Sequence, residues 1–186
     1  MKYDQNTMHH CQRVAEFSLQ IARKLDLPED QVQKLGRAAM LHDIGKIFVP
    51  RTVLYQGGQL TPAEWEIIKL HPIKGAEIAR QESAPPEVVN AILHHHERYG
   101  GAGYPHCLKG KDIPLFARII AVADAFDAMT SSRPYRSQAL SVDMALSEIQ
   151  IHAGPQFDPD IVEALTEEIM NTKGSVFIEK PKVLRL

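Results

Sequence analysis

The chain has 186 residues, 44% of them hydrophobic, with 21 Lys and Arg against 23 Asp and Glu for a formal net charge of −2. That length and apolar content suit one domain that closes its own core without disulfides or a structural metal. The charge balance argues against a general electrostatic grip on long nucleic acid, which wants a basic surplus. It leaves open a small phosphorylated ligand that needs only a local cationic site.

No apolar run approaches the roughly 18 residues of a membrane helix. The opening Met1-Lys2-Tyr3-Asp4-Gln5-Asn6 offers no apolar segment for a signal peptide. Cys11 and Cys107 stand far apart, without a Cys-x-x-Cys pair, and read as reduced thiols of a cytoplasmic protein.

In chain order the pattern is helix after helix. Residues 7–25 carry Val14, Phe17, Ile21 and Leu25 at the 3.6-residue period of a core-facing helix. Pro28 separates them from a second helix over 29–44, and Gly45 and Pro50 mark the loop that follows. Thr61-Pro62-Ala63-Glu64 is a capping box with proline at the first helical position. It opens a helix to about residue 80, bent near Pro72. Pro85 and Pro86 introduce a helix ending near His96, and the glycine-rich stretch 98–113 reads as a loop. Further helices are expected over 114–129, over 142–152 behind an N-cap at Ser141, and from Asp158-Pro159 to about Met170. Residues 1–171 are therefore expected to form one all-α domain and 172–186 a short C-terminal tail.

The nine histidines are the compositional oddity, and histidine is the commonest metal ligand. Helical phase sorts them, because residues three or four apart share a face. His10 extends the Val14–Phe17 stripe, while His9 aligns with Arg13, Glu16 and Gln20. His42 and Asp43 end a helix that is apolar nearly all round. His71 follows Ile67 and Ile68; His95 and His96 follow Val88, Val89 and Ile92. His94 aligns with Glu87 and Asn90 and points away. Asp124 follows Ala117, Ile120 and Ala121, and Asp127 shares part of that face. His106 and His152 read as surface residues.

A buried ion without partners costs several kcal/mol, and a shared metal site satisfies His10, His42, Asp43, His71, His95, His96 and Asp124 together. Seven nitrogen and oxygen donors are too many for one tetrahedral zinc and suit two octahedral ions. Without a thiolate among them, the donors favour iron, manganese or nickel over a structural zinc.

At His42-Asp43-Ile44-Gly45-Lys46 and Gly103-Tyr104-Pro105 the chain closely resembles the HD-GYP family of bacterial phosphodiesterases. The likeness runs from about His10 to Pro159. It includes Leu60-Thr61-Pro62-Ala63-Glu64-Trp65 ahead of His71-Pro72, His95-His96-Glu97-Arg98, Ile120-Ala121-Val122-Ala123-Asp124, Thr130 to Arg136, and Gln156-Phe157-Asp158-Pro159. The resemblance implies a compact HD-type helical bundle with a dinuclear centre. One metal would take His10, His42, Asp43 and Asp124; the other would take Asp43, His71, His95 and His96, with Asp43 bridging. Iron or manganese is expected first, nickel or zinc as alternatives. The implied substrate is cyclic di-GMP, cut to linear pGpG and in some members on to GMP. Another cyclic dinucleotide or nucleotide, or a non-catalytic binding module, is the alternative.

Three departures from the family pattern stand out. Asn6 occupies the place where some members carry a carboxylate for a third metal, so two metals are expected. Gly100 replaces the usual Asp that opens the loop motif. Many relatives carry a receiver or sensor domain and these 186 residues hold none, so either a stand-alone enzyme or a fragment is expected.

In the expected mechanism the metals share a hydroxide, since metal binding lowers the pKa of water from 15.7 to roughly 7. Asp43 and Lys46 are the catalytic candidates. Lys46 reaches a phosphate or the leaving oxygen, or else only favours a helix C-terminus. Arg133 and Arg136 resemble the family's phosphate-contacting pair. Asp127 orients a ligand or water near the substrate, or is a capping carboxylate. Tyr104 stacks on a base or packs its loop, and that loop is a candidate contact for a signalling protein. Glu97 is a candidate partner of a ligating histidine.

Overall fold

The computed structural model describes residues 5–55, 58–131 and 139–176, with the backbone alone at residues 5, 6 and 172–176. Among them the chain is all-helical. The elements are α1 (Gln5–Lys24), α2 (Glu29–Leu41), α3 (Arg51–Leu54), α4 (Pro62–Lys69), α5 (His71–Gln81), α6 (Pro86–His94), α7 (Leu115–Thr130), α8 (Val142–Ile151) and α9 (Pro159–Val176). Short 3-10 turns lie at Ile44–Phe48 and Gly110–Asp112. No strand forms among the described residues; Ala153 and Phe157 make one isolated bridge.

Helix α7 is mostly apolar, with Phe116, Ala117, Ile119, Ile120, Val122, Ala123 and Phe126 all buried, which marks a central helix. Helices α1, α6, α8 and α9 pack around it. From α1, Val14 and Ile21 are fully buried, and Phe17 meets Phe126 edge to face at 4.9 Å between ring centres. Truncating a buried Phe of this kind to Ala costs about 3–5 kcal/mol. Helix α2 packs on α1 and α6, and α5 packs on α6 and on the Ile44–Phe48 turn.

The expected N-caps form: Thr61 and Glu64 make both bonds of the capping box, and Ser141 Oγ accepts from the Met144 amide at 3.2 Å. Two expected helices differ from the structure in ways that matter to the site. The second stops at Leu41 and turns into 3-10 geometry at Ile44, so His42 and Asp43 sit in a corner. The helix expected through Pro72 is two helices, broken at Leu70, because Pro72 has no amide to give the Ile68 carbonyl and its ring crowds that oxygen. Helix α9 runs to Val176, past the expected boundary at residue 171. The tail from residue 177 and the pair Arg133 and Arg136 lie outside the described residues.

Candidate metal centre

Three of the site's histidines stand where a helix runs out of amides. The last carbonyls of a helix have no intrahelical donor. His42 Nδ1 donates to the Ala39 carbonyl at 2.7 Å at the end of α2. His95 Nδ1 donates to the Ile92 carbonyl at 2.8 Å at the end of α6. At the break before α5, His71 Nδ1 donates to the Ile68 carbonyl at 2.7 Å, taking the acceptor that Pro72 leaves open. A carbonyl can only accept, so each Nδ1 carries a proton, and in the neutral ring Nε2 presents a bare lone pair.

Those lone pairs converge on Asp43, which is 2% exposed. His42 Nε2 lies 3.4 Å and His10 Nε2 3.9 Å from Asp43 Oδ2. His71 Nε2 lies 3.3 Å and His95 Nε2 3.9 Å from Oδ1. The carboxylate thus faces one imidazole group with each oxygen. His96 joins the His71–His95 side, and Asp124 joins the other with Oδ1 3.2 Å from His10 Nε2. Gly45 lets the corner close: a Cβ there would lie 2.0 Å from the His71 carbonyl oxygen, so any side chain would push the His42–Asp43 corner off α5.

His10 is held differently. It lies inside α1, where every carbonyl is spoken for, and its Nδ1 donates instead to Asp127 Oδ2 at 2.7 Å. Asp127 is itself 1% exposed. It is gripped by Arg13, whose Nε donates to Oδ1 at 2.5 Å, and by Ser131 Oγ at 2.8 Å. Both Asp127 oxygens are thus engaged behind His10, the arrangement of a carboxylate that orients a candidate ligand. Helical phase groups Arg13 with the polar face of α1. The available signal was its position three residues past His10, on the adjoining face.

Charge follows the same division. Burial would raise the Asp43 pKa, but Lys46, with Nζ 2.5 Å from Oδ2, and His42 hold it well below the carboxylate range. Burial and the neighbouring His96, His42 and His71 keep His95 neutral. Burial, with His71, holds His96 down to about 4. Burial would lower His10 too, yet Asp124 and Asp127 raise it to about 9. Asp127 is pulled down to about 2, its burial outweighed by His10, Arg13 and Ser131. One end of the cluster thus offers neutral lone pairs, and the other is a carboxylate nest that attracts positive charge.

The donors fit metal ions. His42 Nε2 and Asp43 Oδ1 are buried with no hydrogen-bond partner among the described residues. Leaving such an atom unmet costs about 1–3 kcal/mol, and ligation supplies what the protein does not. The ligand atoms fall into two sets that share Asp43: His71, His95 and His96 with it on one side, His10 and His42 on the other.

A cavity of about 510 Å³ opens over this cluster, lined by Lys46, Trp65, His96, Arg98, Tyr104, Asp124 and Gln156 among others. Tyr104 stacks on His96 at 4.9 Å between ring centres, and so packs its loop against a candidate ligand. The Glu97 oxygens accept from the His106 amide at 2.7 Å and the Leu108 amide at 3.1 Å. His94 points away from the cluster as expected, but it is buried, 9% exposed, rather than solvated. Gly100 donates its amide to the Pro155 carbonyl, and a Cβ there would sit 2.8 Å from that oxygen. The residue that replaces the usual Asp is thus one that the neighbouring loop leaves no room to enlarge. Trp65, Arg98 and Gln156 were not expected in the pocket; helical phase cannot show which residues meet across a cleft.

A family model for the HD domain matches residues 2–161. The chain is 43% identical over 164 residues to the cyclic di-GMP phosphodiesterase response regulator RpfG of Xanthomonas campestris pv. campestris, covering 87% of this chain and 43% of that protein. It is 36% identical over 160 residues to the 3'3'-cGAMP-specific phosphodiesterase 2 of Vibrio cholerae, covering 85% of this chain and 30% of that one. The chain thus spans less than half the length of these curated relatives. Among solved structures, Bd1817, an HDG"Y"P protein from Bdellovibrio bacteriovorus, superposes with a TM-score of 0.72 at 24% identity. That match covers 88% of this chain and 52% of the other, and speaks for the fold alone. With the model match across most of its length and the His42–Lys46 and Gly103–Pro105 signatures at the pocket, the chain belongs to the HD domain family, in its HD-GYP branch.

Proposed function

We propose that this chain is a two-metal phosphodiesterase that hydrolyses cyclic di-GMP to linear pGpG. The observation that carries the reading is Asp43, whose two oxygens face two separate imidazole groups. His10, His42, Asp43 and Asp124 would hold one ion, and Asp43, His71, His95 and His96 the other; iron or manganese suits these donors best. When bound, such a pair activates water and draws charge from a phosphate. The protein's own residues do the rest. Lys46, in the cavity wall beside Asp43, neutralises a phosphate oxygen or the leaving ribose oxygen as charge develops there. Trp65 and Arg98 offer an aromatic face and a cation at the mouth. Arg133 and Arg136 complete the phosphate contacts in this reading. The Gly103-Tyr104-Pro105 loop acts first as pocket wall, and only its outer surface is left for a signalling partner.

The second reading is 3'3'-cGAMP, favoured by the relative specific for it. Protein reconstituted without air, separately with Mn²⁺ and Fe²⁺, would be given each dinucleotide and the products resolved by chromatography. An Asp43→Ala variant runs alongside. Metal-dependent release of pGpG, abolished in Asp43→Ala, is the expected result. Faster turnover of 3'3'-cGAMP would move the substrate assignment. No cleavage of either by metal-loaded protein would overturn the enzymatic reading.

A further inference from the structure

We propose that His94, Glu97 and His106 form a separate cation site, for a transition ion of the zinc type, that clasps the pocket loop to the end of α6. The three residues each offer one ligand atom, all within 4.8 Å of one another. None of them belongs to the cluster around Asp43. His94 is the last residue of α6, and its Nδ1 donates to the Asn90 carbonyl at 2.9 Å. Its Nε2 is therefore a bare lone pair, prepared as those of His42, His71 and His95 are. That nitrogen looks at His106 Nδ1, 3.1 Å away.

Two imidazole nitrogens sharing one ion at about 2.0–2.1 Å with tetrahedral angles lie roughly 3.4 Å apart, so the pair needs to open only slightly. Glu97 is buried with each oxygen taking one backbone amide, from His106 and from Leu108. A carboxylate accepts about four bonds, so lone pairs remain for an ion. His106 is exposed, which leaves a fourth position to water. Two imidazoles and one carboxylate with an open position are a set that zinc accepts.

The same loop carries Tyr104, stacked on His96. An ion at His94–Glu97–His106 would bind the loop's far side to the helix that also supplies His94 and leads into His95 and His96. The site would thus stiffen one wall of the pocket without touching substrate.

Zinc content per chain would be measured by mass spectrometry after titration with Zn²⁺ and removal of loosely held ion. The full chain, His106→Ala and His106→Gln would be compared. His106 is exposed, so both variants should fold. The expected result is one zinc equivalent fewer in each variant. Slower amide hydrogen exchange over residues 103–108 on adding Zn²⁺ should appear in the wild type alone. An Asp43→Ala/His71→Ala variant, with its central cluster disabled, should keep one equivalent and lose it when His106→Ala is added. Equal zinc content in wild type and His106→Ala would overturn the proposal, whatever cyclic di-GMP hydrolysis shows.

Discussion

Two ways of holding an imidazole meet at Asp43. On the α2, α5 and α6 side, His42, His71 and His95 are tied to main-chain carbonyls three residues back. On the α1 and α7 side, His10 is tied to the Asp127 side chain, which needs Arg13 and Ser131 to hold it. The difference comes from position along the helix. A helix end or break has spare acceptors, so a histidine there orients itself within its own segment. A helix interior has none, so His10 depends on a carboxylate from another helix, 117 residues away. The first half of the site is built into backbone; the second is a side-chain relay that a single substitution can cut.

The largest expected effect strikes the backbone-built half. Gly45→Ala puts a methyl group 2.0 Å from the His71 carbonyl oxygen. Relief requires α5 or the His42–Asp43 corner to move, so a loss of about 3 kcal/mol or more is expected. Urea unfolding reads it, and an unchanged midpoint would show that the corner yields to a methyl group. Next comes the relay. Asp127→Asn keeps shape but removes the charge that orients His10, and should cost about 10–100-fold in metal affinity or activity. The loss should fall on the ion held by His10 and His42; equal loss of both ions would erase the distinction between the halves.

Tyr104→Ala removes the stack on His96, worth about 0.5–1.5 kcal/mol. Tyr104→Phe keeps the ring and should stay near wild type in thermal unfolding; if both variants fall alike, the hydroxyl rather than the stack matters. The smallest effect is read in acid. Asp127 is held down to about 2 in the folded protein, against about 3.9 in an unfolded chain. Its depressed pKa contributes stability at all higher pH, and that contribution is lost as pH falls from about 4 towards 2. The stability gap between metal-free wild type and Asp127→Asn should therefore be flat from about pH 6 down to about pH 4 and shrink below it; above 6.5 it also falls as His10, raised to about 9 in part by Asp127, gives up its proton. A gap constant to pH 2 would mean that Asp127 is not held as an anion.

Helical phase was enough to select the seven residues that the structure gathers, because which way a side chain points depends on its own helix. His42 and Asp43 show where that reasoning thins. Periodicity carries their helix through to residue 44, yet the site needs it to stop at Leu41 and turn. Asp127 shows a second limit: its face was readable, but not the histidine opposite it. His94 shows a third. Its polar-face register was right, and it is nevertheless covered, because the loop carrying His106 folds back over it.

From sequence alone came the all-helical class, the capped helix starts, the inward set of histidines and aspartates, and the family signatures at Asp43 and Tyr104. Each rests on contacts within a few residues or on a local pattern. The tertiary structure decided which oxygen of Asp43 meets which imidazole, that Arg13 and Asp127 stand behind His10, and that Gly45 and Gly100 have no room for a side chain. Those facts depend on how close one helix or loop comes to another. Helix periodicity sets the direction of a side chain, but only the packed core sets what it meets.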